Sequence, residues 1–416
     1  MPAVERREVT NGGAPIIVTG ADAGYFELLQ DLVLSILEHP ESRECALAVF
    51  DFGLTDEQRA WLAPRVTHIE KAGWDINFPS MDRAPEYMKS FVVTAFLPKY
   101  FPGHDVYIWI DADAWLQNWS AIPLLTEGAR RDGFAAVTEV DRNYERLSSG
   151  LRLHLHKYNP LLRGRIRKVR SWQQQHMDKL YPPSGGQAHL LKPLINAGVF
   201  AVTADAPHWG AWAESYRKAK IRDYRDLIDQ TALNHAVYTN GLPVHRLPAW
   251  CNWVCCHALP MVDVEHRLLV EPSLPHHPIS ILHMAADTKD GVREMRTTNG
   301  GTVASGLRRR EVQALFQAGG GKTPWRLTPV AIERQIDAIG GFPEDLLARR
   351  YEGPAHFIAG ALSAYIKPEH RELVLRLFPA ATMSVIAGAG HWVHAEKPDS
   401  FLRAVRRFLD RQQHAP

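Results

Sequence analysis

Two carboxylates separated by one alanine, Asp111 and Asp113, close the apolar run VYIWIDAD. A pair so spaced at the end of a strand can hold a hard divalent cation against a diphosphate, because magnesium and manganese prefer oxygen ligands and leave room for substrate phosphates. An Asp-x-Asp triplet arises by accident in a chain this rich in aspartate, so its surroundings must decide. The segment ILHMAADTK ends another apolar run on His283 and carries Lys289 six residues later. An imidazole added to two carboxylates favours Mn2+ over Mg2+. Lys289 can then neutralise a phosphate that the cation does not reach.

These residues need strands to carry them. From Pro15 to about His283, PIIVTG, CALAVFDFG, VYIWIDAD and INAGVFAV read as strands. They alternate with YFELLQDLVLSILEH, PEYMKSFVVTAFLPKYF and DLIDQTALNHAVY, whose apolar residues recur at helical spacing. That order predicts an α/β domain on a mainly parallel sheet. Ligands bind such sheets at the carboxyl ends of the strands, where Asp111 and Asp113 fall. Residues 152–170, RLHLHKYNPLLRGRIRKVR, hold seven Lys/Arg and no acid. They read either as a solvated insertion or as a strip that docks an anionic acceptor or a membrane surface. After residue 305 a short helical pattern leads into glycines, and a further unit begins near residue 323, with strands AHFIAGA and TMSVIAGA and helices KPEHRELVLRLF and PDSFLRAVRRFLDRQ. The expected division is a domain over 1–305, a linker over 306–322 and a second unit over 323–416.

A length of 416 residues suits two domains. The net charge of +2 gives no global pull toward nucleic acid, which is not expected as a partner. No apolar run is long enough to span a bilayer and no apolar leader opens the chain, so a cytoplasmic location is expected, with the inner membrane face as a docking alternative. Cys45, Cys251, Cys255 and Cys256 are too few for a disulfide framework. CNWVCC lacks a second Cys/His pair at zinc spacing and reads as buried packing thiols.

In its ordered motifs the chain resembles the retaining GT-A glycosyltransferases of glycosyltransferase family 8. VTGADAGYFELLQDLVLSIL matches that family's opening strand and helix, with Asp22, Tyr25, Ser35 and Ile36. Asp111 and Asp113 match its metal motif, Asn196–Val199 its NAGV strand, and Asp229, Gln230, Leu233 and Asn234 its DQ helix. Trp250 to Asn252 and then His283 with Lys289 complete the order. The chain departs from the family at Ala286, where a glycine is usual, and at Asp290-Gly291, where Pro-Trp is usual.

The resemblance implies a GT-A fold, a Rossmann-like nucleotide-sugar-binding sheet, and a metal-dependent hexosyl transfer from a nucleotide-sugar, a UDP-sugar by preference. Its acceptor is a glycan, lipid or protein, and the anomeric configuration is retained. It implies Asp113 and His283 as ligands of Mn2+, with Mg2+ as the alternative, and Asp111 on metal, ribose or both. Lys289 then faces the leaving phosphate. Tyr25 stacks on the base with Asp22 nearby. Lys89 touches phosphate or donor sugar, or is a solvent-facing helix lysine. Asp229 and Gln230, at the first turn of a helix, hold donor hydroxyls with Asn196 beside them; read without the family, Asp229 is an N-terminal helix charge or cap. A non-catalytic nucleotide-sugar-binding or scaffold protein is the alternative, with an α/β-hydrolase or esterase as a third reading.

Residues 323 to 412 resemble the last part of a small α/β-hydrolase, with GAGHWVHAEKP placing His391 at that family's catalytic histidine. The Gly-x-Ser-x-Gly elbow is absent from the chain, and Ala364 stands where relatives carry an acid. A histidine with neither nucleophile nor orienting acid has nothing to activate. The expectation is a partial, non-catalytic hydrolase-like unit.

Overall fold

A computed structural model describes residues 13–144, 172–318 and 349–413, apart from 184, 186–188, 190–191, 365 and 367–369. The basic segment 152–170 therefore lies outside the described residues. The chain divides into two compact units, Met1–Gly321 and Lys322–Pro416.

In the first unit, β1 (Ile16–Ala21), β2 (Ala46–Asp51), β3 (His68–Lys71), β4 (Val106–Ile110), β5 (Ala114–Leu116), β6 (Phe134–Thr138), β7 (Ile195–Thr203) and β8 (His245–Leu247) follow in chain order. All but β5 form one sheet in the order β3-β2-β1-β4-β7-β6-β8. The central strands are buried on both faces, as their near-continuous apolar composition requires. Successive side chains alternate between two cores: Tyr107 and Trp109 of β4 enter one, Val106, Ile108 and Ile110 the other. The helix Phe26–Leu37 covers the second core with Leu29, Leu32, Val33 and Ile36. Each such buried side chain contributes about 1.5–3 kcal/mol.

Direction within the sheet matters more than its membership. Every strand runs one way except β7, which pairs antiparallel with both β4 and β6. A reversed strand starts where its neighbours end. Asn196 and Gly198, near the start of β7, therefore lie beside the carboxyl end of β4. The chain also leaves β1 toward β2 and β3, then crosses back to β4 on the other side. That reversal of winding opens a crevice at the ends of β1 and β4, the usual ligand position in such sheets.

Three more strands, β9 (Trp253–Val254), β10 (Met261–Asp263) and β11 (Leu268–Val270), precede β12 (Ile281–His283). A smaller sheet, β5-β12-β9, pairs His283 with Ala114 across an antiparallel ladder. The hairpin of β13 (Arg293–Arg296) and β14 (Thr302–Ser305) follows, then the helix Arg309–Ala318. That helix falls within the stretch expected as a linker, yet it belongs to the first unit: Leu307 and Val312 are buried in its third core, and Arg309 pairs with Glu38.

One expected helix is broken. PEYMKSFVVTAFLPKYF folds as a single 3-10 turn, Glu86–Lys89, and two one-turn helices, Ser90–Val93 and Leu97–Tyr100. Val92, Val93 and Thr94 are β-branched in sequence, and Pro98 has no N–H to continue the ladder, so it opens a new turn instead.

Within the second unit, β15 (Ala355–Gly360) and β16 (Ala381–Ile386) pair in parallel, flanked by the helices Arg371–Leu377 and Pro398–Gln413. The loop to His391 is tightly built: Glu396 accepts N–H bonds from Gly390 at 2.6 Å and Trp392 at 3.2 Å. Among the described residues its sheet has two strands.

Candidate active site

Pairing of β12 with β5 carries His283 to the carboxylates. Met284 N–H donates to the Asp113 carbonyl at 2.9 Å, locking the register beside the ladder pair His283–Ala114. His283 Nε2 then lies 3.3 Å from Asp113 Oδ1 and 3.7 Å from Asp111 Oδ2. Lys289 Nζ reaches Asp113 Oδ2 at 2.8 Å. Asp111 is held from behind by the Trp109 indole N–H at 2.7 Å and by its own N–H on the Gly198 carbonyl at 2.8 Å.

The charges are unbalanced. Burial, and then the facing Asp113 carboxylate, push Asp111 up to about 8. Burial acts on Asp113 in the same sense, but His283 and Lys289 outweigh it and hold Asp113 down at about 2. Burial works against a charged imidazole at His283 too, and the two aspartates overcome it, raising its pKa. Asp111, Asp113 and His283 each offer a ligand atom within 4.8 Å of the others. Two carboxylate oxygens and one imidazole nitrogen set this close are a donor set that fits a divalent cation, whose charge would relieve the burial and repulsion that raise Asp111.

Hydrogen-bond logic fixes which nitrogen of His283 faces them. Glu139 is a buried carboxylate at the end of β6 and can only accept. Its Oε1 takes bonds from Asn196 Nδ2 at 2.8 Å and Gln230 Nε2 at 3.0 Å, and its Oε2 takes one from His257 Nε2 at 2.9 Å. Asn196 Oδ1 is then turned to accept Asn252 Nδ2 at 2.9 Å. Asn252 Oδ1 is left to accept the Nδ1–H of His283 at 3.1 Å. Nε2 is thereby presented to the carboxylates, the orientation that a metal-binding imidazole needs.

The helix Asp229–Asn240 begins at this crevice, as expected. Burial raises Asp229 to about 6, and its charge is felt by Asp111. Gln230 Oε1 accepts the Ala197 N–H at 3.2 Å, so both ends of its amide are tied down. Across the crevice Tyr25 is 44% exposed, with Lys289 Nζ 5.6 Å from its ring centre. Asp22 caps the turn before it, accepting the Tyr25 N–H at 3.0 Å.

Of the residues singled out in sequence, Asp111, Asp113, His283, Lys289, Tyr25, Asp229, Gln230 and Asn196 gather here. The Lys89 ammonium is 2.6 Å from Glu86 and lies over Trp74, at the end of a 3-10 turn rather than on a long helix. With its side chain only 13% exposed, it is not a solvent-facing lysine. Glu139, His257 and Trp109 were not anticipated. Glu139 carried a usable signal, since it ends the apolar run FAAVTE much as Asp111 ends VYIWID. Cys251 and Cys255 are buried in the cores, where loss of water pushes their thiols well up.

The loop between His283 and Lys289 keeps the backbone shape that a glycine suits. Ala286 has φ of 58°, in the left-handed region, which costs an L-residue about 1–2 kcal/mol. Ala286→Gly is expected to raise stability by about 0.5–1 kcal/mol, the relief exceeding the added freedom of the unfolded chain. Urea unfolding checks this; a lower midpoint would show that the alanine is unstrained.

No protein-family model matches the chain. Over 86 residues, 21% of its length, the chain is 55% identical to "Esterase YbfF" of Escherichia coli (strain K12), and the match covers 33% of that protein. The chain spans a third or less of the length of the first curated relatives it matches, and the match fits a C-terminal α/β-hydrolase fragment. Among solved structures it is similar to the WbbM bifunctional glycosyltransferase in its apo form, at 15% identity and a TM-score of 0.41 over 68% of this chain and 47% of that one. It is also similar to the galactosyltransferase LgtC in complex with donor and acceptor sugar analogs, at 15% identity and a TM-score of 0.37 over 66% of this chain and 88% of that one.

Proposed function

We propose that the first unit is a metal-dependent glycosyltransferase that takes a sugar from a nucleotide-sugar, by preference a UDP-sugar, and passes it to an acceptor with retention. The observation that carries this reading is the convergence of Asp111, Asp113 and His283 at the winding reversal of the sheet, with Lys289 beside them. Asp113 and His283 hold the cation, Mn2+ before Mg2+, and Asp111 shares it or holds the ribose. When bound, the ion supplies Lewis-acid stabilisation of the departing diphosphate. Lys289 adds a fixed positive charge to the same phosphate, already oriented before reaction. Tyr25 offers its exposed ring to the base. Asp229 and Gln230 orient donor hydroxyls, and the bonds from Gln230 to Glu139 and Ala197 hold its amide still while they do so.

The second unit is assigned no catalysis, because the sequence holds no Gly-x-Ser-x-Gly elbow and Ala364 stands where relatives carry an acid. A catalytic first unit that extends past the expected end at 305 to include the helix Arg309–Ala318, followed by a hydrolase-like fragment over about 323–416, is part of this proposal.

A panel of UDP- and GDP-sugars, incubated with the full chain and Mn2+, tests the reading through released nucleotide. Release of UDP from at least one donor, lost on chelation and restored by Mn2+, is expected. Binding of nucleotide-sugar with no turnover, with or without sugar acceptors, would favour the non-catalytic alternative. Failure to bind any of them would end the proposal.

A further inference from the structure

Where the loop after Lys289 departs from the resembled family, a different fastening stands in its place. We propose that Arg308 is a positioning residue for Lys289, its guanidinium pinning the Lys289–Asp290 backbone to the start of the helix Phe26–Leu37. The inference rests on the reading of Lys289 as the cation that faces the diphosphate.

Every nitrogen group of Arg308 has a separate task. Nε donates to the Lys289 carbonyl at 3.2 Å, Nη2 pairs with Asp290 at 2.6 Å, and Nη1 pairs with Glu27 at 2.8 Å. The planar fork of arginine can make these three bonds at once; a lysine ammonium at the same place cannot match that geometry. Glu27 lies two residues after Tyr25, so the same side chain joins both walls of the crevice.

The sequence brings Arg308 there by hairpin register. Arg293 pairs with Ser305 across β13 and β14, and continuing that register outward sets Asp290 opposite Arg308. The anchor itself is firm. The Leu307 carbonyl accepts the Trp115 indole N–H at 2.9 Å, and the Leu307 side chain is buried. Trp115 is two residues from Asp113, so the frame that carries the carboxylate also carries the arginine. The Arg308 side chain is 18% exposed, but Glu27 and Asp290 are 61% and 80% exposed, so solvent screens these two pairs and it is the three-way hydrogen-bond geometry that holds the loop. Asp290, which replaces the family's proline, is the residue that gives Arg308 its grip.

Titration calorimetry of the full chain with UDP in saturating Mn2+, and with Mn2+ alone, tests this on Arg308→Ala, Arg308→Lys, Lys289→Ala and the double alanine variant. Arg308→Ala is expected to weaken UDP about tenfold, the scale of one charge-assisted hydrogen bond, with Mn2+ affinity unmoved. Arg308→Lys should recover part of the loss. In the Lys289→Ala background, Arg308→Ala should add little, because the arginine acts through the lysine. Wild-type UDP affinity in Arg308→Ala, with Lys289→Ala weakened, would overturn the inference and leave the site reading intact. Wild-type affinity in both would overturn the site reading and this inference with it. If Arg308→Ala does not fold, Asp290→Ala cuts the same tie through a carboxylate that is 80% exposed, and the same outcomes apply.

Discussion

Asp113→Asn is expected to lower sugar transfer at least about a thousandfold, or ~4 kcal/mol of transition-state stabilisation. The substitution keeps size and shape and removes one charge. That charge is the one His283 and Lys289 both meet, at 3.3 Å and 2.8 Å. On the proposed reading the cation would lose a ligand without it, and Lys289 is freed from the carboxylate that orients it. Mn2+ affinity by calorimetry should fall along with released UDP, and near-ultraviolet circular dichroism should stay that of the wild type. Unchanged Mn2+ affinity in a folded variant would mean that the ion, if any is used, binds elsewhere.

Gly198→Ala should have a comparable effect by a different route. A Cβ at residue 198 would fall well inside van der Waals contact of His283 Cε1 and 2.7 Å from Asp111 Oδ2. Neither neighbour can step aside freely: His283 is 4% exposed and bonded to Asn252, and Asp111 is held by Trp109. The methyl therefore wedges the donors apart, at an overpacking cost of about 1–3 kcal/mol. Thermal unfolding should shift down and Mn2+ binding should weaken severely, whereas Asp113→Asn weakens binding through charge alone. Wild-type Mn2+ affinity with the extra methyl in place would show that the three donors do not share an ion at this point.

The glycine also marks the limit of what could be read beforehand. Asn196–Val199 stood out as a motif, and Asp111, Asp113 and His283 stood out as residues, but nothing linear says that a methyl at 198 would collide with an imidazole 85 positions on. Carboxylates that end apolar runs are legible because water-seeking groups rarely close a buried strand without a task. His283 was legible through the order of motifs, since one histidine on an apolar run is commonly a packed core residue. The helix through Asp229 was legible from the spacing in DLIDQTALNHAVY, but that run opens at Asp226 and the helix starts three residues later. Strand direction was not: periodicity is the same in either sense, so the reversal of β7, on which the position of Asn196 depends, emerges only from pairing. The break at Val93–Leu97 was hidden because apolar spacing mimicked a helix while proline and β-branched residues argued against one. Glu139 and His257 were overlooked because their partnership spans 118 positions and is made by tertiary contact alone.

The small sheet that pairs His283 with Ala114 ties together segments about 170 positions apart. Chain closure over that distance is entropically slow to achieve, and no shorter fragment contains the full donor set. Affinity for the ion is thus a property of the finished fold alone. Whatever binds there draws the population toward the native form by mass action, about 2.7 kcal/mol at a hundred times the dissociation constant. On the proposed reading chelation would then act as a denaturing pressure on the pairing of β12 with β5.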